Sequence, residues 1–304
     1  MKSEKDKRRF RENLEGYLFI SPWIIGTILF TLLPIISVFT LSFFRWDLFN
    51  PPKYAGMANF VKMSHDPFFY KSIGVTFYYS MLAVPLGLIL ALALALMLDN
   101  KMKSTPFFRS IFFLPHIVSG IAMLLLWKWL FDPNFGLVNK VLDFLHITNL
   151  LNAIGVGRPQ WLFAPEGAVP AMIIMSLWGI GASMMIFLAG LQGVPKELQE
   201  AAELDGAASF AKFRYITLPL ITPTIFFLLI VGTIAAVQSF NQAYVMTQGG
   251  PANATLFYCL YLFRNAFEMF NMGYACAMAL LLFIFVLIIT LIQFQLSKRW
   301  VYYQ

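Results

Sequence analysis

Six apolar runs separated by polar connections set the pattern of the chain. They fall near residues 17–44, 72–98, 109–131, 168–191, 219–246 and 273–296. Each reaches the ~20 helical residues that cross a hydrocarbon core of about 30 Å. Six membrane-spanning helices are therefore expected. Pro34, Pro85, Gly179, Gly181 and Gly232 lie inside these runs. Membrane helices tolerate such residues when neighbouring groups re-satisfy the freed backbone.

Composition agrees with the pattern. Of the 304 residues, 59% are apolar and 12% charged, and the mean hydropathy is +0.71. A soluble domain is nearer half apolar and a quarter charged. The fold class expected is an all-α integral membrane protein with six transmembrane helices. The net charge of +7 comes from basic residues scattered through the connections, with no continuous stripe that would suit nucleic acid. They read better as topology signals. The N-terminal segment, the connections near 99–109 and 192–218 and the tail together hold 14 Lys/Arg, against 7 in the three alternate connections, with Lys128 left inside a run. The excess places both termini in the cytoplasm. The expected organisation is a cytoplasmic segment 1–16, a first span 17–44, an outer loop 45–71, a five-span core 72–296 and a cytoplasmic tail 297–304. The first run is too long for a signal-peptide core and no A-x-A-like site follows, so an uncleaved span is expected.

The chemistry for catalysis is sparse. All 15 carboxylates fall outside the six runs. An ion-coupled carrier places ionisable groups within the membrane, because they are the coupling device. Lys128, flanked by Trp127 and Trp129, reads as an interface anchor. His116 has no Cys, Asp or Glu beside it, and Cys259 and Cys276 suggest neither a disulfide framework nor a metal site. No GxxxxGK[ST] phosphate loop occurs. No catalytic residue and no metal ligand is expected, and any uphill transport must draw its energy from another polypeptide.

One connection is unlike the rest. GVPKELQEAAELDGAAS predicts a short helix over about 195–206, with Pro195 at its start and Gly206 just past its end. On a helical wheel Lys196, Gln199, Glu200 and Glu203 share one face, and Leu198, Ala201 and Ala202 the opposite one. Alanines leave room for a partner surface to approach. A second short helix follows, with Ser209 as its expected N-cap.

The run EAAELDGAASFAKFRYITLP, with Glu200-Ala201-Ala202, Asp205, Gly206, Ile216, Leu218 and Pro219, resembles the EAA signature of importer-type ABC transporter permeases. MANFVKMSHDPFFYKSI, MTQGGPANAT and FEMFNMGYACAMAL are similar to the carbohydrate subfamily that includes the maltose and glycerol-3-phosphate permeases, and the resemblance runs from about Gly16 onward. It implies the type I ABC importer permease fold, with the 195–206 helix as a coupling helix whose Glu200, Ala201, Ala202, Asp205 and Gly206 meet an ATPase. The implied assembly holds a second related permease, two ATPase subunits that bind ATP and Mg, and an extracytoplasmic solute-binding protein, in a bacterial or archaeal cytoplasmic membrane. No cofactor is implied in this chain. The implied solute is a sugar or oligosaccharide, with glycerol phosphate as the alternative. An intramembrane enzyme or a scaffold is the reading outside transport.

The resemblance also implies a substrate path through the fourth and fifth spans. It falls on Met175, Trp178, Gly179 and Ala182, and on Gly232, Ala235, Ala236 and Ser239. The second set, spaced i, i+3, i+4, i+7, lies on one helical face, yet Gly232-x-x-x-Ala236 is equally a pattern of close helix packing. Gln238, Asn241 and Gln242, just beyond, favour a path, because amides in a membrane need partners that a hydroxyl-rich solute supplies.

Overall fold

The computed structural model describes residues 2–99, 105–118, 120–153 and 157–302, with side chains from Arg9 onward. Lys101 and Lys103, counted above for topology, and the last two residues of the tail lie outside the described residues. Among those described, four helices are individually long and apolar enough to cross a membrane: Arg9–Leu41, Pro67–Leu98, Ser209–Val237 and Met272–Ser297. Two bent pairs, Thr105–Ile117 with Gly120–Leu130 and Pro165–Trp178 with Gly181–Gln192, bring the count to six when each pair is one span.

Two compact units are present. One joins the chain up to His65 with Leu262–Ile284; the other joins Asp66–Tyr261 with the segment from Phe285 on. In the first unit, span one carries a wide π turn at Ile28–Leu32 and exposes its apolar surface, as a lipid-facing helix does. A two-residue ladder, Phe44–Arg45 against Lys53–Tyr54, departs from the all-helical expectation. Buried Asn59 holds its approach by donating Nδ2 to Ser42 O (2.8 Å) and Phe44 O (2.9 Å).

The second unit is built around span two, Pro67–Leu98. Asp66 caps its start, accepting from the Phe68 N–H at 2.9 Å, and Pro67 fills the first turn. Farther along, Ala91 and Ala95 are fully buried with Met184, Phe187 and Leu188 of span four and Ile221 and Leu228 of span five. Alanines at the crossing let the backbones approach, which is how helices associate where lipid is as apolar as leucine. Gly190 extends the rule: a Cβ there would lie 2.7 Å from Thr224 Oγ1. At the last turn, Arg109 Nη2 donates to Leu98 O at 2.8 Å, and burial pushes the neighbouring Asp99 carboxyl up against the pull of that guanidinium.

Two spans differ from their expected form. Span four, expected as one helix over 168–191, bends by 48° between Trp178 and Gly181. Gly179 ends the first half, and the bend seats Gly181 against the backbone of Phe112. Span five, expected over 219–246, starts earlier, at Ser209, and its helix stops at Val237. Residues 238–240 leave the helix, and a wide turn at Ala243–Thr247 follows. Ser239 and the nearby Asn241 are of the residue types whose short polar side chains can compete for backbone groups and so favour a helix end.

Candidate functional site

A cavity of about 570 Å³ forms where these broken segments meet. One wall is the start of Gly120–Leu130. A second is the bend of span four, through Met175, Ser176 and Gly179. The third is the broken end of span five, through Ala235 and residues 238–242. The break matters chemically, because a helix interior hides its backbone groups whereas an interruption turns side-chain amides toward the space. Ser176, Gln238, Ser239, Asn241 and Gln242 make the wall polar, and Met175, Leu124 and Phe240 give it apolar patches. That mixture matches the general build of small-molecule sites, mostly apolar with a few placed polar groups.

The residues expected on a path divide in two. Gly179, Ala235, Gln238, Ser239 and Asn241 line the cavity, as does Met175. Trp178, Ala182, Gly232 and Ala236 do not line it. Trp178 stands exposed, edge-on to Trp127 with ring centroids 5.9 Å apart. Gly232 packs against span two, where a Cβ would meet Val84 Cγ1 at 3.4 Å, and Ala236 is buried. The predicted face thus divides: Ala235 and Ser239 line the cavity, while Gly232 packs on span two and Ala236 is buried. The third-span wall (Gly120, Ile121, Met123, Leu124), Ser176 and Phe240 were not foreseen, and only Ser176 carries a polar signal a sequence could offer.

The short helix expected in the fourth connection spans Lys196–Leu204. Pro195 is its N-cap and not its first helical residue. Its end is a Schellman closure: the Gly206 N–H donates to Glu203 O at 3.0 Å and the Ala207 N–H to Ala202 O at 2.9 Å. Gly206 sits at φ +76°, the left-handed conformation that closure requires. No residue of the helix is buried. Glu200, Ala201 and Asp205 are exposed, Ala202 half-buried, and Leu204 is 90% exposed, with Phe210 and Tyr215 also bare just beyond. Ser209 does not cap the next helix. It is the first helical residue, and Ala208, held extended at ψ 154°, occupies the cap with no side-chain bond. Lys212 Nζ donates to Glu203 Oε1, tying this short helix to the long helix of span five.

The other titratable residues do not gather. His116 contacts only the ring of Phe113 among described rings, Lys128 is exposed, and no group of three or more metal-ligating side chains occurs among the described residues.

Bent and broken apolar helices around a polar cavity, with a bare capped helix in a connection, define a multi-span membrane transport component. The chain belongs to the family described as binding-protein-dependent transport system inner membrane component, which matches residues 70–302. It is 42% identical over 305 aligned residues to the probable ABC transporter permease protein YesP of Bacillus subtilis, covering 99% of this chain and 96% of that protein. The trehalose/maltose transport system permease protein MalF of Thermococcus litoralis is 34% identical, covering 96% of each. Among solved structures, a bacterial ABC transporter involved in import of the acidic polysaccharide alginate superposes with a TM-score of 0.81 at 25% identity, over 98% of this chain and 99% of that one. The fold is therefore that of an ABC importer permease, a multi-pass membrane protein whose relatives are transport subunits and not enzymes.

Proposed function

We propose that this chain forms half of the translocation path of an ATP-driven importer and passes a sugar or oligosaccharide delivered by a solute-binding protein. The observation that carries the reading is the cavity, in which side-chain amides and hydroxyls converge at the breaks of two spans. Such groups pair with sugar hydroxyls, while apolar patches such as Met175 and Phe240 suit the C–H faces of sugar rings. Several relatives are named for trehalose and maltose, lactose, or arabinooligosaccharides, which supports the class. Amides and hydroxyls suit an uncharged solute better than glycerol phosphate, whose anion calls for arginine or lysine.

The expected assembly has a second permease supplying the other half of the path and two ATPase subunits that bind ATP and Mg. The bare helix Lys196–Leu204, with Glu200 outward, docks on an ATPase. Its Schellman end makes it a rigid lever, and rigid elements transmit subunit rotation that a floppy loop would absorb. With this helix in the cytoplasm, both termini are cytoplasmic too.

Ser239→Trp, which fills the cavity, should leave assembled complexes but block uptake of the sugar held by the solute-binding protein. Trp178→Ala, outside the cavity wall, should slow uptake only modestly. Normal uptake by Ser239→Trp would remove the cavity from the solute route.

A further inference from the structure

A second space, a groove of about 560 Å³, lies between the early turns of spans two and four. Tyr70, Lys71 and Tyr78 wall it on one side, Glu166 on another, and Ala252 and Ala254 on a third. Two stretches far apart in the chain meet here: MANFVKMSHDPFFYKSI supplies Tyr70 and Lys71, and MTQGGPANAT supplies the two alanines. Neither stretch lines the cavity at the span breaks. The alanine wall is fixed. Gln248, Ala252 and Asn253 hold φ at +50°, +48° and +59°, a left-handed conformation that side chains resist. Fully buried Thr255 ties this loop down, donating Oγ1 to Gly250 O at 2.7 Å with Thr247 Oγ1 2.6 Å away. Such backbone persists where its surroundings over-determine it, and it clusters where ligands are held. Val169 lines the groove and Ser176 the cavity, seven residues apart on one helix and so on one face, about 10 Å along it. Fully buried Met172 lies between them on that helix, so the groove is a space of its own.

We propose that this groove is an outer saccharide subsite, which a sugar occupies before it reaches the cavity. The proposal rests on the sugar reading and the topology above, in which the groove opens outward. Lys71 and Glu166 are exposed and share no ion pair or hydrogen bond among the described residues. An ammonium donates and a carboxylate accepts, so the hydroxyls of a neutral polyol satisfy both. An anion drawn to Lys71 is repelled by Glu166. Tyr70 and Tyr78, both exposed, offer aromatic faces to the C–H surface of a sugar ring.

The test begins with the complete importer in proteoliposomes: this chain, its second permease, the ATPases and the solute-binding protein. They are given mono- to tetrasaccharides from partial hydrolysis of starch, arabinan and galactan, with glycerol 3-phosphate added, and mass spectrometry of the lumen identifies the sugar accumulated. That sugar is then titrated onto the permease–ATPase complex in phosphatidylcholine nanodiscs without solute-binding protein, and contact is read by saturation-transfer difference NMR. Ser239→Trp, which fills the cavity, should leave a saturable signal; Ala235→Phe takes its place if that variant fails to assemble. In this background Lys71→Met and Glu166→Gln should each weaken binding about tenfold, as loss of a charge-assisted hydrogen bond predicts. Both positions are exposed, so neither change should disturb the fold. Loss of the signal on filling the cavity would overturn the proposal, because the sugar then meets the cavity alone. Unchanged affinity in both groove variants would overturn it as well. So would a groove variant that binds the sugar normally but the solute-binding protein tenfold more weakly, which marks a protein dock. Accumulation of glycerol 3-phosphate alone, or of no sugar, would remove the sugar reading first and this proposal with it.

Discussion

Gly181 offers the sharpest quantitative test of how the spans fit together. A Cβ built there would lie 2.2 Å from Phe112 O and 2.9 Å from Phe113 Cα. Both obstacles are backbone, so no side chain can rotate away. Reaching the ordinary contact distance of 3.4 Å from 2.2 Å requires a retreat of about 1.2 Å between spans three and four. Overpacking of this kind costs about 1–3 kcal/mol, and the upper end applies because main chain must move. Replacing glycine by alanine within a helix gains up to about 1 kcal/mol, which offsets part of the cost. Gly181→Ala should therefore lose about 1–2 kcal/mol net. At roughly 2–4 °C per kcal/mol for a chain of this size, its Tm should fall by about 2–8 °C. Gly87→Ala is the matched control, because its Cβ meets only Ile180 Cγ2, at 3.8 Å. It should melt at or above the unmodified protein. Thermal denaturation of the tagged subunit in detergent, read by fluorescence-detected size exclusion, compares all three. A Gly181→Ala protein melting level with Gly87→Ala would refute the backbone-contact reasoning.

Two further predictions concern the short helix of the fourth connection and the topology. A Cβ at Gly206 would meet no atom within 4 Å, but Gly206→Val forces a β-branched residue to φ +76°, a strain of about 1–2 kcal/mol. It should lower uptake and stimulated ATPase activity together, as should Glu200→Lys through charge reversal, while the solute-binding protein keeps its affinity; normal coupling in Glu200→Lys would end the docking assignment. With Cys259 and Cys276 replaced, Ser209→Cys and Asn253→Cys should react from opposite sides of the membrane with an impermeant thiol reagent, and labelling of position 209 from outside intact cells would invert the topology.

The membrane-spanning runs were legible in the sequence because crossing a bilayer is a local demand on length and apolarity. Gly206 was legible for the same reason: the left-handed turn behind a helix tolerates few other residues. The breaks were not. Gly179 and Gly181 stand in plain view, but hydropathy is blind to the direction of the chain after a glycine, and the bend depends on Phe112 from another span. Gln238, Ser239 and Asn241 announced an unusual place within span five without revealing that the helix stops there. Nor could periodicity divide one face between two tasks. Gly232 faces packing only because Val84 occupies that side, a fact held by span two. The wall from Gly120 to Leu124 offered no signal at all, since its residues are those of any lipid-facing helix.

The wide turn at Phe213–Thr217 lies in the helix that runs unbroken from Ser209 to Val237. A π turn takes up one extra residue without ending the helix, and each residue is worth about 100° of rotation. The turn therefore works as a slack coupling in one shaft. It lets the number of residues change by one while Ala235 at one end keeps its azimuth relative to Lys212 at the other. Deleting a single residue inside it would return the turn to regular helix and leave both ends nearly in place, whereas deleting one from the regular helix beyond it would turn the cavity-facing end by more than a quarter of a circle. Families built on this shaft can therefore gain or lose one residue at the wide turn, but have little freedom to do so in the regular helix beside it.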